Sequence, residues 1–188
     1  MRVVIAGVLA GIALFMWGAV SHTLLPLGEI GKHAPGNEDV ILAAMREGLP
    51  KEGIYVLPYI ASEQMADESA THAWVSKSLA NPYAMVIYQP QGRDNSQMGA
   101  MLGMQFGSDL VTGFALAWVL SLISAGFGRR VLVAVAIGMI GWLAIGVPNV
   151  TWYRYPLDST LALMTDEGVG FFLAGVAAAW WLGRDRAA

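Results

Sequence analysis

The stretch from Leu110 to Phe127 constrains this chain most, because it carries no charge and is followed by Arg129 and Arg130. An α-helix rises about 1.5 Å per residue, so a helix of this length nearly crosses the roughly 30 Å of hydrocarbon in a bilayer. Short loops rich in arginine and lysine stay on the cytoplasmic side of a membrane. The pattern therefore predicts a transmembrane helix whose C-terminal end faces the cytoplasm.

The composition extends this prediction to the whole chain. Hydrophobic residues make up 56% of the sequence and charged residues only 13%, against roughly 25% charged residues in a soluble domain. Most charges avoid four long apolar stretches, the last of which is interrupted by Asp166 and Glu167. These stretches are predicted to span a membrane: residues 3–24, 110–127, 131–147 and 160–182. The lack of cysteine excludes disulfides, thiolate metal sites and cysteine nucleophiles. No basic patch with interleaved aromatic residues is present, which argues against nucleic-acid binding.

The first apolar stretch is either a retained helix or a cleaved signal peptide. Ala19 and Ser21 form the small-x-small pattern that precedes a cleavage site. However, the apolar stretch is longer than the roughly 7–15 residues usual in a signal peptide. The length favours a retained transmembrane helix over residues 3–24.

Arginines on short segments predict the orientation. They lie before the first stretch, between the second and third, and after the fourth: Arg2, Arg129, Arg130, Arg184 and Arg186. Residues 28–97, between the first and second stretches, carry nine acidic and five basic side chains and would face the opposite side. We therefore predict a multi-pass protein of a bacterial inner membrane, surrounded by the lipid bilayer, with both termini cytoplasmic and residues 28–97 extracytoplasmic.

Residues 28–97 predict a small α/β cap. Asn37 before two acidic residues is typical of a helix N-cap, and Ser62 predicts a second helix over roughly 63–79. Short strands are predicted at 53–58 and 83–88. The predicted fold is mainly α: a first transmembrane helix within residues 1–27, the cap over 28–97, and three more transmembrane helices over 98–188 that form one bundle with the first.

Turn residues predict where the long helices end. The second helix is expected to begin near Gln97 and to end before an inner turn at residues 126–128. The third helix is expected to stop at Pro148, because proline lacks the backbone N–H that a helix interior needs. The aromatic residues between Thr151 and Pro156 then predict a loop at the level of the lipid head groups.

Four ionisable residues are predicted to lie at one depth, near the outer boundary of the membrane. The depth follows from counting about twenty residues from the inner end of each helix. We call this set the outer polar ring: His22, Asp109, Asp166 and Glu167. Such groups avoid lipid, so the ring could form a metal site or a proton relay, or could simply hold helices together. Neighbours on a helix point about 100° apart, so Asp166 and Glu167 cannot face one centre equally.

Two further patterns involve methionine and glycine. Thioethers are soft ligands suited to Cu(I), although methionines at helical spacing are more often packing residues; the three candidates are Met98, Met101 and Met104. Two GxxxG steps would let helices approach closely, although glycine is common in membrane helices; they are Gly7/Gly11 and Gly103/Gly107. No other metal site and no cofactor is assigned.

Two parts of the chain resemble a group of small, uncharacterised bacterial inner-membrane proteins. The first part is WGAVSHTLLPLGE together with NEDVILAAMREGLPKEGIYVLP, and the second is WYRYPLDSTLALMTDEGVGFFLAG. The resemblance covers most of the chain. It implies a first span, an outer α/β cap and three further spans, and it implies no catalytic residue or activity.

The sequence contains no complete catalytic motif. A nucleophile elbow, a P-loop, an HExxH motif and a dinucleotide fingerprint are all lacking, as is the inverted repeat typical of transporters. We therefore predict a non-enzymatic accessory or structural subunit that docks onto other subunits of a larger membrane complex. The alternative is a small membrane enzyme or carrier that handles a lipid, metal or proton at the outer polar ring.

Overall fold

The computed structural model describes residues 1–94 and 96–184, and this part of the chain is mainly helical. The helices are α1 Arg2–Thr23, α2 Glu38–Gly48, α3 Glu68–Ala80, α4 Met98–Leu122, α5 Phe127–Tyr153 and α6 Leu157–Gly183. The strands are β1 Gly53–Leu57 and β2 Ala84–Tyr88, and short 3-10 turns lie at Leu27–Glu29 and Ser62–Gln64. Four helices, α1, α4, α5 and α6, are long and apolar enough to cross a membrane. This confirms the mainly helical fold with four potential spans and a small sheet.

The chain divides into two compact units. The first contains Met1–His33 and the three helices after residue 95, and the second contains Ala34–Asp94. The turn Leu27–Glu29 contacts both α1 and α6, so it belongs with the long helices. The predicted cap, residues 28–97, thus includes this turn as well as the second unit.

Helices α1 and α4 pack antiparallel through glycines. A Cβ atom at Gly7 would lie 2.9 Å from the Cα atom of Phe114, and one at Gly11 would lie 2.7 Å from the Cα atom of Leu110. From the other side, a Cβ atom at Gly113 would meet the backbone of both Gly7 and Gly11. Glycine has no Cβ atom, so two helix backbones can come into close contact where it lies. These glycines therefore set the distance between the two helices.

Helix α6 contacts all three other long helices. Along α5, Gly138 meets the ring of Phe171 and Gly175 meets the side chain of Ala134, so these two helices also run antiparallel. The shared core consists mostly of small side chains: Ala6, Ala10, Leu116, Ala117, Leu120, Ala134, Ala174 and Ala178. Alanine at these positions lets the four helices approach closely.

The predicted turn between the second and third spans is wrong. Helix α4 ends at Leu122, the turn follows at once, and α5 already begins at Phe127. Gly126 is the extended N-cap residue of α5, and the side chain of Arg130 donates a hydrogen bond to the Ile123 carbonyl oxygen at 3.3 Å. The last carbonyls of a helix lack intrahelical donors. Arg130 supplies such a donor. The length of the uncharged stretch gives no sign of this contact.

The predicted end of the third span at Pro148 is also wrong, because α5 continues to Tyr153 with the proline inside it. Proline removes one backbone hydrogen bond, but the apolar residues around it favour a continuous helix, in which most backbone groups keep internal partners. Helix α5 ends where Arg154 adopts a left-handed conformation and its backbone N–H donates to the Asn149 carbonyl oxygen.

The second unit is a two-stranded antiparallel sheet with two helices. The strands pair from Gly53 opposite Tyr88 to Leu57 opposite Ala84, which confirms both predicted strands. The predicted N-cap of α2 is also confirmed, because the Asn37 side chain accepts a hydrogen bond from the backbone N–H of Val40 at 3.3 Å.

The predicted N-cap of the second helix in this unit is wrong. Ser62 begins a short 3-10 turn, and α3 starts only after Asp67. The carboxylate of Asp67 accepts hydrogen bonds from the backbone N–H groups of Ser69 and Ala70. A carboxylate at a helix N-terminus satisfies free N–H groups and also complements the helix dipole, which explains why the helix begins there.

Candidate binding site

The four residues of the outer polar ring divide into two pairs, because Asp166 and Glu167 point in different directions from α6. Asp166 faces α1, where its Oδ2 atom lies 3.9 Å from Nδ1 of His22. Glu167 lies close enough to Asp109 of α4 for their charges to repel. The division follows from the angle of about 100° between consecutive helical residues. A binding site can therefore include His22 and Asp166 without including Asp109 and Glu167.

The ring does not form a metal site of protein ligands. In the part of the chain that the structure describes, no three histidine, aspartate or glutamate side chains are grouped so that they could hold a metal ion. Asp109 instead accepts a hydrogen bond at 2.9 Å from the amide nitrogen of Gln105 on its own helix. In the methionine group Met98 and Met104 are largely exposed and Met101 is half-buried, and their role as copper ligands stays a prediction.

The surroundings of His22 do not form a catalytic triad. The hydroxyl of Ser21 lies 2.8 Å from Nδ1 of His22 and donates to the Gly18 carbonyl oxygen at 3.2 Å. Asp166 approaches the same Nδ1 atom. In a triad the nucleophile and the carboxylate sit on different nitrogens of the imidazole, so this arrangement cannot activate Ser21 for attack.

A glycine-containing turn holds the other edge of the imidazole. A Cβ atom at Gly28 would lie 2.8 Å from Cδ2 and 3.2 Å from Nε2 of His22. Farther along, Gly31 has φ +79°, and a Cβ atom there would lie 2.8 Å from Cβ of Ser159. Because residues with a side chain rarely adopt this φ, glycine at position 31 lets the turn lie directly on the start of α6.

A cavity of about 390 Å³ lies beside His22 and Asp166. Its walls come from the end of α1, the turn after it, the end of α5 and the first turns of α6. The lining side chains are both polar and apolar: His22, Leu27, Ile30, Lys32, Asn149, Tyr155, Ser159, Thr160, Leu163 and Asp166. Cavities of several hundred Å³ with an apolar wall and a few polar groups are typical of small-molecule sites.

Two tryptophans attach the neighbouring helices to α6 at residues that line the cavity. The indole N–H of Trp17 donates to the Asp166 carbonyl oxygen at 3.0 Å, and that of Trp142 donates to the Thr160 carbonyl oxygen at 2.9 Å. Buried tryptophan N–H groups usually find such partners. These bonds fix the spacing of α1 and α5 relative to α6, and therefore the width of the cavity.

Sequence reasoning missed most of the cavity wall. The end of α5 and the turn before α6 contribute Asn149 and Tyr155, residues that the predicted stop at Pro148 assigned to a surface loop. One sequence feature does point to this wall. Gly28 and Gly31 lie three residues apart beside a histidine, and glycine often marks a close approach of two backbone segments.

Comparison with known proteins assigns no family or function to this site. No protein-family model, no curated protein and no solved structure matches the chain.

Proposed function

We propose that the chain is a non-enzymatic accessory subunit that crosses a bacterial inner membrane four times and docks onto a larger membrane complex. Four helices of suitable length and apolarity support the crossing. The arginines near their ends support cytoplasmic termini; of these, Arg186 lies outside the described residues. In this orientation the second unit and the first half of α4 lie on the outer side.

A row of glycines on the first half of α4 carries this proposal. Gly99, Gly103 and Gly107 recur at every fourth residue, and among the described residues no atom outside the local helix backbone lies within 4 Å of a Cβ atom built at any of them. By contrast, the glycines between α1 and α4 are in tight contact. Residues four apart share one helix face, so this row offers a second surface of the kind that brings helices together.

Large apolar side chains flank the glycine row. Leu102 and Met104 are both strongly exposed, Met104 to 78%. A partner helix seated on the glycines would contact these side chains and gain dispersion energy from them. Met104 is flexible and adapts to irregular surfaces, so this face suits a helix of another subunit on the outer side.

The second unit has its own uncovered apolar surface. Ile54 and Ile87 lie directly opposite each other in the sheet and are 69% and 71% exposed. Among its described hydrophobic side chains only Ile60 is buried, and it is still 8% exposed. A two-stranded sheet is marginally stable alone, so a partner that covers this isoleucine pair would stabilise the unit.

Replacing Gly103 tests the docking proposal. We expect Gly103→Leu to lower the amount of partner that co-purifies with the tagged chain in a mild detergent by about tenfold, the effect of losing roughly 1.4 kcal/mol of binding. A leucine would hold the partner backbone away from α4. The matched control is Gly141→Leu, since Gly141 also has no atom within 4 Å of its Cβ position but lies on α5.

Native mass spectrometry of the same preparations provides the readout. We expect the wild-type and Gly141→Leu chains to be detected in complexes with larger subunits. Most of the Gly103→Leu chain should be detected alone. Wild-type chain that is recovered only as a monomer, or only with further copies of itself, contradicts the accessory role.

The second candidate function is a small enzyme or carrier at the outer polar ring, and the cavity beside His22 and Asp166 favours it. Of its proposed cargoes, a lipid or another amphiphile fits the mixed lining better than a metal, for which the described residues provide no group of three ligands. Asp166→Asn, which keeps the side-chain shape, would abolish such an activity in a chain that still folds. If this variant loses stability alone, the ring only holds helices together.

A further inference from the structure

The hydrogen-bonding groups on the wall of the cavity are already partly used. The hydroxyl groups of Ser159 and Thr160 donate to the Pro156 carbonyl oxygen at 2.9 and 3.0 Å. Each hydroxyl has one hydrogen to donate and two lone pairs to accept. Both side chains therefore present only acceptors to a ligand.

Asp166 adds a stronger acceptor to this wall. Its Oδ1 atom is buried and has no hydrogen-bond partner among the described residues, while Oδ2 lies 3.9 Å from His22. Buried polar atoms are nearly always hydrogen-bonded in folded proteins. A carboxylate can only accept; because Oδ1 has almost no accessible surface, a ligand N–H group in the cavity would bond to the other carboxylate oxygen of Asp166, which lines the wall.

The charges around the cavity favour a cation. Lys32 is paired with Glu29, its ammonium nitrogen lying 3.1 Å from a carboxylate oxygen. The carboxylate of Asp166, which lines the cavity, has no such lysine or arginine partner among the described ion pairs. A cationic head group would compensate this excess of negative charge, and a charged donor bonds a carboxylate more strongly than a neutral one.

We propose that this cavity binds an amphiphile with a primary ammonium head group. The N–H groups of the ligand donate to Asp166 and to the hydroxyl oxygens on α6, and its apolar part lies along Leu27, Ile30 and Leu163. An aminophospholipid of the membrane has this chemistry. The proposal is independent of the docking proposal, because α4 contributes no residue to the cavity wall.

Phosphatidylethanolamine and phosphatidylcholine separate this proposal from unspecific lipid binding. Both head groups carry a positive charge and a phosphate, but only the ethanolamine nitrogen has N–H groups. The full-length chain is reconstituted in bilayers with equal amounts of the two lipids, extracted in mild detergent, and examined for retained lipid by native mass spectrometry. We expect about tenfold preference for phosphatidylethanolamine, as one charge-assisted hydrogen bond provides.

A matched pair of variants identifies the group responsible. Asp166→Asn should reduce the preference to about one, because the amide is neutral and offers a donor of its own. Glu167→Gln should keep the full preference, since Glu167 is the adjacent acid but does not line the cavity. Circular dichroism and a single elution peak verify that both variants fold.

The wild-type chain alone provides a second test that does not depend on a variant folding. Retention should fall stepwise from phosphatidylethanolamine through its N-methyl and N,N-dimethyl forms to phosphatidylcholine. Equal retention across this series, or an unchanged preference in Asp166→Asn, overturns the proposal. Displacement of the lipid by an equal concentration of free ethanolamine would overturn the role of the apolar wall.

Discussion

Gly113→Ala is expected to destabilise the protein by about 1–3 kcal/mol, the range for inserting an atom into a filled interface. The added methyl group would meet the backbone of Gly7 and Gly11 and would lie 2.8 Å from the Cα atom of Gly11. A flexible side chain could move away, but helix backbone on α1 cannot. The two helices must separate, and the contacts on which their association depends are lost.

Gly18→Ala is the control, and its expected effect has the opposite sign. No atom lies within 4 Å of a Cβ atom at Gly18, and alanine is favoured over glycine in a helix by up to about 1 kcal/mol. Unfolding of both variants in mixed detergent and SDS micelles, followed by tryptophan fluorescence, measures the difference. Equal stability of Gly113→Ala and Gly18→Ala would contradict the α1–α4 packing.

Arg130→Met is expected to cost about 1.5–3 kcal/mol, the contribution of a hydrogen bond from a charged group. Arg130 is only 5% exposed, and its guanidinium donates to the Ile123 carbonyl oxygen at the end of α4. Methionine preserves most of the apolar volume of the side chain but removes the donor, so the carbonyl loses this partner. The connection between α4 and α5 should therefore loosen.

Arg129→Met provides the comparison, because Arg129 is the neighbouring arginine and is exposed. Each variant removes one positive charge from the same segment, so the two change the charge of this segment equally. An exposed substitution of this kind changes stability by no more than about 0.5 kcal/mol. If SDS unfolding shifts equally for both variants, then the buried hydrogen bond of Arg130 contributes nothing.

The four long helices could be predicted from the sequence because apolar length alone determines them. The stretch from Leu110 to Phe127 lies mostly within α4, and no tertiary contact is needed to identify it. The same holds for α2, where Asn37 precedes two acids and caps the first turn through its own side chain. Such local signals depend on a few neighbouring residues, which the sequence displays directly.

The ends of the long helices depend on contacts that sequence patterns do not display. Pro148 stops a helix in water, where the freed carbonyl and the following chain are easily solvated. In this chain apolar residues continue around it and α5 extends to Tyr153. The end of α4 at Leu122 likewise goes together with a hydrogen bond from Arg130, eight residues further along the chain.

Part of the candidate site could be predicted from the sequence. Counting residues from the inner ends placed His22 and Asp166 at one depth, and their side chains lie 3.9 Å apart. The cavity beside them could not be predicted, because it exists only where the turn after α1 folds back onto α6. That approach requires Gly28 beside the imidazole and Gly31 at φ +79°, and a single sequence shows only that glycines are present.

Site-directed cross-linking tests directly whether the glycine face of α4 docks onto another subunit. The chain has no cysteine, so single cysteines can carry a photo-cross-linker at Met104 beside the glycine row, and at Ile140, 64% exposed on α5, as the control. In native membranes the account predicts an adduct with a different polypeptide from position 104 and none from position 140. No adduct at 104, the same adduct from both positions, or an adduct of two copies of this chain would contradict it.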